Sequence, residues 1–239
     1  NPVLFKPSPL AGAVAGRYGR TMEAVLPEGV FQTVQGGSAT SSELCRHRLV
    51  RSVCFTGSAS VGRELAKDLA GDLGKDLALE LGGKNAAIVC DDASLAAAAQ
   101  AVADGICLTA GQRCNATSRI LVARSRGDEF IEALIPCLRA YAPDNPLLDS
   151  TRLGPLISSV AVERYQRLRG CLKGEWLVAG EIVPVIHGAR GYYVTPSLLQ
   201  VPPASPGSPT HPFLLEEAFC PMASVELYDD LQHAVQLHN

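Results

Sequence analysis

Val53-Cys54-Phe55-Thr56-Gly57-Ser58-Ala59-Ser60-Val61-Gly62 passes from an apolar, β-prone run through a glycine and three hydroxyl side chains into a helical pattern. The pattern predicts a strand at Val53-Cys54-Phe55, a helix over 59–71 and a second strand over 76–81. A strand, a helix and another strand in that order form a βαβ unit, which places the two strands in parallel.

The same alternation extends outward in both directions. Toward the start, residues 2–6 read as a short buried strand, Ser8 and Pro9 as the cap and first turn of a helix reaching Val25, and Pro27 and Gly29 as its end. A β-prone run over 30–34 and a short polar helix near 40–47 complete the first section. Beyond Gly82-Gly83 the rhythm restarts, with a strand at 85–90, an Ala-rich helix at 93–109, a strand at 118–123 and an amphipathic helix at 127–141. Residues 175–199 mix short β runs with turns at Gly188 and Gly191, and a loop with prolines at 202, 203, 206, 209 and 212 follows. The fold class expected is α/β, with doubly wound parallel sheets in two domains, 1–80 and 81–239.

Composition narrows the function classes. With 239 residues, 47% of them hydrophobic, the chain can bury a substantial core. A net charge of −3 made of interspersed acids and bases carries no footprint for nucleic acid. No apolar stretch is long enough to cross a bilayer, so no membrane partner is expected. The eight cysteines form no Cys-x-x-Cys and no dense framework, which argues for a reducing, cytoplasmic setting. The five histidines show no paired metal spacing, and no metal is expected.

Two residues carry the chemistry. Cys114 in Gly111-Gln112-Arg113-Cys114-Asn115 lies in a polar bend, where a cation and backbone amides favour a thiolate and can serve an oxyanion. The other seven cysteines read as small buried hydrophobes. Glu80 in Leu79-Glu80-Leu81-Gly82-Gly83-Lys84 ends a strand beside glycines that admit a ligand close to the backbone. A thiolate attacks a carbonyl, and a carboxylate activates a thiol or a water. Gly57 and Ser58 open a helix whose free amides suit a phosphate, although a tight turn with an ordinary cap explains the pattern equally well. Lys6 ends the first strand, where nucleotides bind in such sheets, but a solvated lysine explains it too. Glu217, before Phe219, reads either as a site acid or as a loop facing water.

Together these segments resemble the NAD(P)-dependent aldehyde dehydrogenase superfamily, in order along nearly the whole chain. Lys6-Pro7-Ser8 is similar to its nucleotide-side lysine motif, Phe55-Thr56-Gly57-Ser58 to its pyrophosphate turn, Leu79 to Lys84 to its general-base motif and Gly111 to Cys114 to its nucleophile motif. Gly191-Tyr192-Tyr193-Val194-Thr195-Pro196 and Glu216-Glu217-Ala218-Phe219-Cys220-Pro221 continue the correspondence. The resemblance implies NAD or NADP as coenzyme. Lys6 would bind a ribose, Ser8, Gly57, Ser58, Val61 and Leu81 would lie on the coenzyme side, and Glu217 and Phe219 would hold the nicotinamide end. It implies oxidation of an aldehyde to the acid by way of a thiohemiacetal and a thioester on Cys114, with Glu80 activating the water.

The chain also departs from that pattern. Pro9 stands where the family often has an acid that reads the adenosine ribose, which leaves NAD and NADP both open. Cys220 replaces the glycine usual between Phe and Pro. The side-chain oxyanion donor, an asparagine, belongs upstream of Lys6, and the oligomerisation strand belongs after Asn239. The chain therefore reads as a central fragment of a homo-oligomeric parent. Gly111-Gln112-Arg113-Cys114 and Leu69-Ala70-Gly71 are similar to succinylglutamate semialdehyde dehydrogenases of arginine catabolism, which makes Arg113 a candidate for binding an acidic semialdehyde. Release of the acyl group to coenzyme A, and a non-catalytic binding or structural protein on the same fold, are the alternatives.

Overall fold

The computed structural model describes residues 1–171, 174–201 and 211–239. They form two compact units, Asn1–Leu81 and Gly82–Asn239.

The first unit contains two βαβ units in succession. Strand β1 (Val3–Phe5), helix α1 (Gly12–Val25) and strand β2 (Phe31–Thr33) form the first, with Val3 beside Phe31 and Phe5 beside Thr33 in parallel register. Helix α1 starts later than expected, because Pro9–Ala11 forms a separate 3-10 turn capped by the Ser8 hydroxyl. The helix lies so close to β2 that a side chain at Gly19 would strike Thr33. Phe5, Tyr18 and Phe31 pack as a trio with ring centroids 5.6 to 6.0 Å apart. The buried strand expected at 2–6 is a correction: Val3 and Leu4 are 49% and 46% exposed. The reason is that, among the described residues, β1 has one strand beside it, in a two-stranded sheet.

Helix α2 (Ser38–Arg46) leads to the second βαβ unit, made of β3 (Ser52–Gly57), α3 (Ala59–Leu69) and β4 (Asp76–Leu81). Strands β3 and β4 are parallel over six residue pairs, and α3 buries Gly62, Leu65 and Leu69. Cys54 is exposed rather than buried, since β3 too has a single strand neighbour. Cys45, Cys90 and Cys137 are only partly buried, Cys107 and Cys220 are fully so, and the Cys171 side chain lies outside the described residues.

The second unit runs β5 (Ala86–Val89), α4 (Leu95–Cys107), β6 (Arg119–Ala123), α5 (Gly127–Arg139), α6 (Ser159–Cys171), β7 (Glu175–Val178), β8 (Ile182–Ile186), β9 (Ala189–Val194), β10 (Ser197–Gln200), α7 (Pro212–Leu215), β11 (Met222–Tyr228) and α8 (Leu231–His238). Its sheet has the order β5-β6-β11-β10-β7, parallel except for the antiparallel edge strand β7. All five residues of β6 are buried, as a central strand covered on both faces requires. Helices α4 and α5 pack against each other, and Ile106, Ile120, Phe130, Leu134, Leu138 and Leu198 are fully enclosed in the core.

Strands β8 and β9 form a hairpin whose two-residue turn, His187-Gly188, is left-handed at both positions, as a tight hairpin demands. The turn expected at Gly191 does not exist. That glycine lies inside β9, where a side chain would strike the Tyr193 ring. The Pro-rich stretch 202–210 lies outside the described residues, and Pro212 opens α7.

Candidate active site

Helix α4 delivers the chain into the bend that carries Cys114. After Cys107 the backbone is left-handed at Thr109, Ala110 and Gly111, with φ of 56°, 54° and 66°. Two consecutive non-glycine residues in that region store strain, and strain of this kind is held only where surrounding contacts enforce it. Those contacts are visible. The Gln112 N–H donates to the Thr109 carbonyl at 3.1 Å, and the Gln112 Oε1 accepts from the Ile157 N–H at 3.0 Å. Arg113 Nε donates to Thr109 Oγ1 at 2.7 Å, which ties the guanidinium back to the bend.

Downstream, the Ala116 N–H closes a turn onto the Arg113 carbonyl at 3.1 Å, and the Thr117 N–H reaches back to the Gly105 carbonyl of α4 at 2.9 Å. Cys114 is exposed at the tip, between these two anchored stretches. Its own N–H meets no acceptor among the described residues.

Asn85, at the head of β5, stitches the bend from the other side. Its Nδ2 donates to the Cys114 carbonyl at 2.6 Å and to the Ala116 carbonyl at 3.2 Å. Its main-chain carbonyl accepts from the N–H groups of Ser118 and Arg119 at 3.1 and 3.0 Å.

The loop of Glu217 and Phe219 faces the same connector. The Gly83 N–H donates to Glu217 Oε1 at 3.3 Å, and a side chain at Gly82 would collide with the Glu217 carboxylate. Lys84 Nζ donates to the Glu216 carbonyl at 3.0 Å and lies 3.4 Å from the centre of the Phe213 ring. Burial pulls the Lys84 ammonium down to about 7; Arg119 adds to the fall, while Cys220, Glu216 and Glu217 oppose it. The Glu216 carboxylate pairs with Arg167. Phe219 is left-handed with φ of 50° and partly exposed, whereas the unusual Cys220 is buried with its thiol pushed up to about 12 by desolvation. The left-handed residue of this loop is therefore Phe219 and not Cys220. Gly83, Gly111, Arg113, Thr117, Glu217 and Phe219 are among the residues lining a small cavity between the two loops.

In the unit Asn1–Leu81, Lys6 Nζ spans the Pro7 carbonyl at 2.8 Å and the Gly36 carbonyl at 3.0 Å, which leaves one of its three N–H groups for another acceptor. Ser58 caps α3 by accepting from the Val61 N–H at 3.4 Å and shares a hydrogen bond with Ser60 at 3.0 Å. Gly57 packs against the Phe55 ring, Val61 is exposed, and Leu81 covers Gly62. Glu80 is exposed on β4 beside Thr56, while Leu77, Leu79 and Leu81 turn to the half-buried face. A surface depression lined by Ala39, Ser42, Glu43, Arg46, His47 and Arg48 includes none of these. Among the described residues, no group of three or more His, Cys, Asp or Glu side chains is arranged to hold a metal, and no helix is long and apolar enough to cross a membrane.

The aldehyde dehydrogenase family profile matches residues 1–239. This chain belongs to that family. Among its relatives is a mitochondrial aldehyde dehydrogenase of Leishmania tarentolae, 34% identical over 246 aligned positions that cover 100% of this chain and 47% of the relative. The solved gamma-glutamyl-gamma-aminobutyraldehyde dehydrogenase of Burkholderia cenocepacia is 35% identical with a TM-score of 0.82, over 100% of this chain and 48% of that one. A betaine aldehyde dehydrogenase of Staphylococcus aureus, solved in complex with NAD+, is 29% identical with a TM-score of 0.90, again over 100% and 48%. The chain thus spans about half the length of the relatives it matches. Within the family frame, the residues that sequence reading missed are Asn85 and the positioning contacts of Lys84. An asparagine opening an apolar strand reads as an ordinary turn, and nothing in its sequence neighbourhood points to Cys114.

Proposed function

We propose that the protein oxidises an aldehyde to the carboxylic acid with NAD+ or NADP+, with Cys114 as nucleophile and Glu80 as general base. The observation that carries this reading is an exposed cysteine on a strained, multiply anchored bend, in a chain that belongs to the aldehyde dehydrogenase family throughout. The resemblance of Gly111-Gln112-Arg113-Cys114 to the family's nucleophile motif points to the same cysteine among the eight.

In this mechanism the Cys114 thiolate adds to the carbonyl carbon, and the electron pair of the C=O bond moves to oxygen. The Cys114 N–H, which has no other acceptor among the described residues, donates to that oxyanion. The oxyanion electron pair then re-forms the C=O bond as the C–H bond breaks, and a coenzyme held by Glu217 and Phe219 would supply the acceptor for that hydride. The acyl group left on sulfur is a thioester. Glu80 takes a proton from water as its oxygen attacks the acyl carbon, which releases the acid and restores the thiolate. Dividing the oxidation into capture and hydrolysis replaces one hard step with two easier ones.

The residues present fit such a coenzyme. The amino end of α3 after Gly57 and Ser58 suits a pyrophosphate, the remaining N–H of Lys6 suits a ribose hydroxyl, and Ser8, Val61 and Leu81 are assigned to the same side. Glu217 and Phe219 are assigned to the nicotinamide end. On this reading residues 1–80 are the later part of the coenzyme domain and 81–239 the catalytic domain.

Arg113 is proposed to select an acidic semialdehyde, of which succinylglutamate semialdehyde is one example. Its Nε is committed to Thr109, which leaves the η nitrogens for a carboxylate. The setting proposed is a cytoplasmic homo-oligomer. The test is NAD(P)H formation by the intact protein with neutral and acidic aldehydes. Cys114→Ala should abolish it, and Arg113→Leu should raise KM for the acidic substrates alone. Turnover that survives Cys114→Ala overturns the nucleophile, and acyl-coenzyme A as the main product overturns the role of Glu80.

A further inference from the structure

We propose that Asn85 is the positioning residue of the nucleophile bend: its carboxamide fixes the peptide that follows Cys114 and so sets the direction of the thiol. The role rests on Cys114 being the nucleophile, as proposed above.

Asn85 makes two kinds of contact. Its main-chain carbonyl accepts from Ser118 and Arg119, where β6 begins to pair with β5, and strand pairing explains those bonds. Pairing does not explain the side chain, whose two N–H bonds go to the carbonyls of Cys114 and Ala116, upstream of β6. The primary amide has two donor hydrogens, and both are used. Its orientation is also determined, since two carbonyl oxygens can only be met by the nitrogen.

The upstream side of Cys114 is fixed by the left-handed run and by Gln112, and on the downstream side the main chain is held by the Ala116 N–H on the Arg113 carbonyl and by Thr117 on Gly105. Between those anchors, the Asn85 amide is the side chain that grips the Cys114 peptide itself. Without it, the turn from Arg113 to Ala116 hangs on its single main-chain bond, the whole Cys114-Asn115 segment can rock about its ends, and a thiol carried on a rocking segment loses attack geometry.

The prediction separates by charge and by shape. Asn85→Ala removes both donors. Asn85→Asp keeps the shape but turns a carboxylate toward two carbonyl oxygens and places negative charge beside the thiol. The measurement is alkylation of the whole chain with iodoacetamide, followed by site-resolved mass spectrometry, with the exposed Cys54 as an internal reference. The Cys114 to Cys54 rate ratio is expected to fall about threefold in Asn85→Ala and about tenfold in Asn85→Asp, in line with the loss of one or more hydrogen bonds of ordinary strength. A ratio unchanged or raised in Asn85→Ala overturns the proposal, and that variant decides alone if the aspartate form does not fold.

In the intact protein, the coupled NAD(P)H assay should show kcat lowered with the aldehyde KM within about twofold of wild type, the signature of a group acting at the chemical step. A purely structural asparagine would lower the thermal midpoint and leave both the alkylation ratio and the kcat of the folded fraction in place. Alkylation requires no turnover, so an inactive wild type would count against the proposed oxidation and not against Asn85.

Discussion

Gly111 and Cys220 lie back to back, so close that a Cβ on Gly111 would strike the carbonyl carbon and oxygen of Cys220. Gly111 is also left-handed, with φ of 66°. Gly188, in the β8–β9 hairpin, has φ of 79° and open space around it. Gly188→Ala should therefore cost about 1–2 kcal/mol, the price of the left-handed backbone alone. Gly111→Ala should cost more, because residues 219–221 must also shift. Thermal denaturation of the two variants isolates the contact, and an equal fall in both would show that it carries nothing.

Arg119 and Glu226 form a buried ion pair at 2.9 Å, each side chain 8% exposed, in the paired strands β6 and β11. Removing one partner leaves the other charged and enclosed. Arg119→Met is expected to destabilise by about 3–5 kcal/mol, whereas the double change with Glu226→Leu should recover most of that loss. Urea titrations of the single and double variants provide the comparison. A double variant as unstable as the single would place the cost in lost packing instead.

Lys84 gives a pH dependence with a defined sign. Its folded value of about 7 lies below the ordinary 10.5, so the native state holds fewer protons than the unfolded chain across that interval. Stability from this group consequently rises with pH over the interval, and its burial penalty is fully present below it. Lys84→Met removes the penalty. The thermal midpoint of the variant relative to wild type should be highest at pH 6 to 7 and decline toward pH 10. A difference independent of pH would mean that the ammonium is not desolvated in the native state.

Gly82 has no room for a side chain because the Glu217 carboxylate occupies the place of its Cβ. Its backbone is not left-handed, so Gly82→Ala imposes no conformational strain. On the proposed assignment of Glu217 to the coenzyme, the expected outcome in the intact protein is selective: coenzyme affinity falls about tenfold or more as Glu217 is displaced, while the thermal midpoint stays within a few degrees. Calorimetry with NAD+ and NADP+ tests both halves of the statement.

What was legible in the sequence follows from how each signal arises. The βαβ units, the passage from strand to helix at Gly57-Ser58, the bend after Gly111 and the exposed Cys114 are legible because apolar periodicity and glycine placement are local properties. Strand β11 is not. Met222-Ala223-Ser224-Val225-Glu226-Leu227-Tyr228 places Ser224 and Glu226 inside the core, so its polar residues break the apolar run that marks a central strand. Helix α6 was hidden for a related reason: Tyr165 and Leu168 are its fully buried large residues, a stripe too narrow to stand out among charges. Gly191 reads as a turn in the sequence because glycine marks turns and close contacts alike, and only the Tyr193 ring distinguishes them. The role of Asn85 depends on a partner 29 residues away, and no local pattern encodes such a distance.

The connector Gly82-Gly83-Lys84-Asn85 grips the Glu217 loop with its first three residues and the Cys114 bend with its fourth. The consequence is epistasis. A substitution in either loop alters the ground on which a substitution in the other is judged, so their effects should combine non-additively although the loops lie far apart in the chain. Divergence of one loop, whether natural or directed, is thereby constrained by the other, and variants that change both together have routes open to them that stepwise change does not.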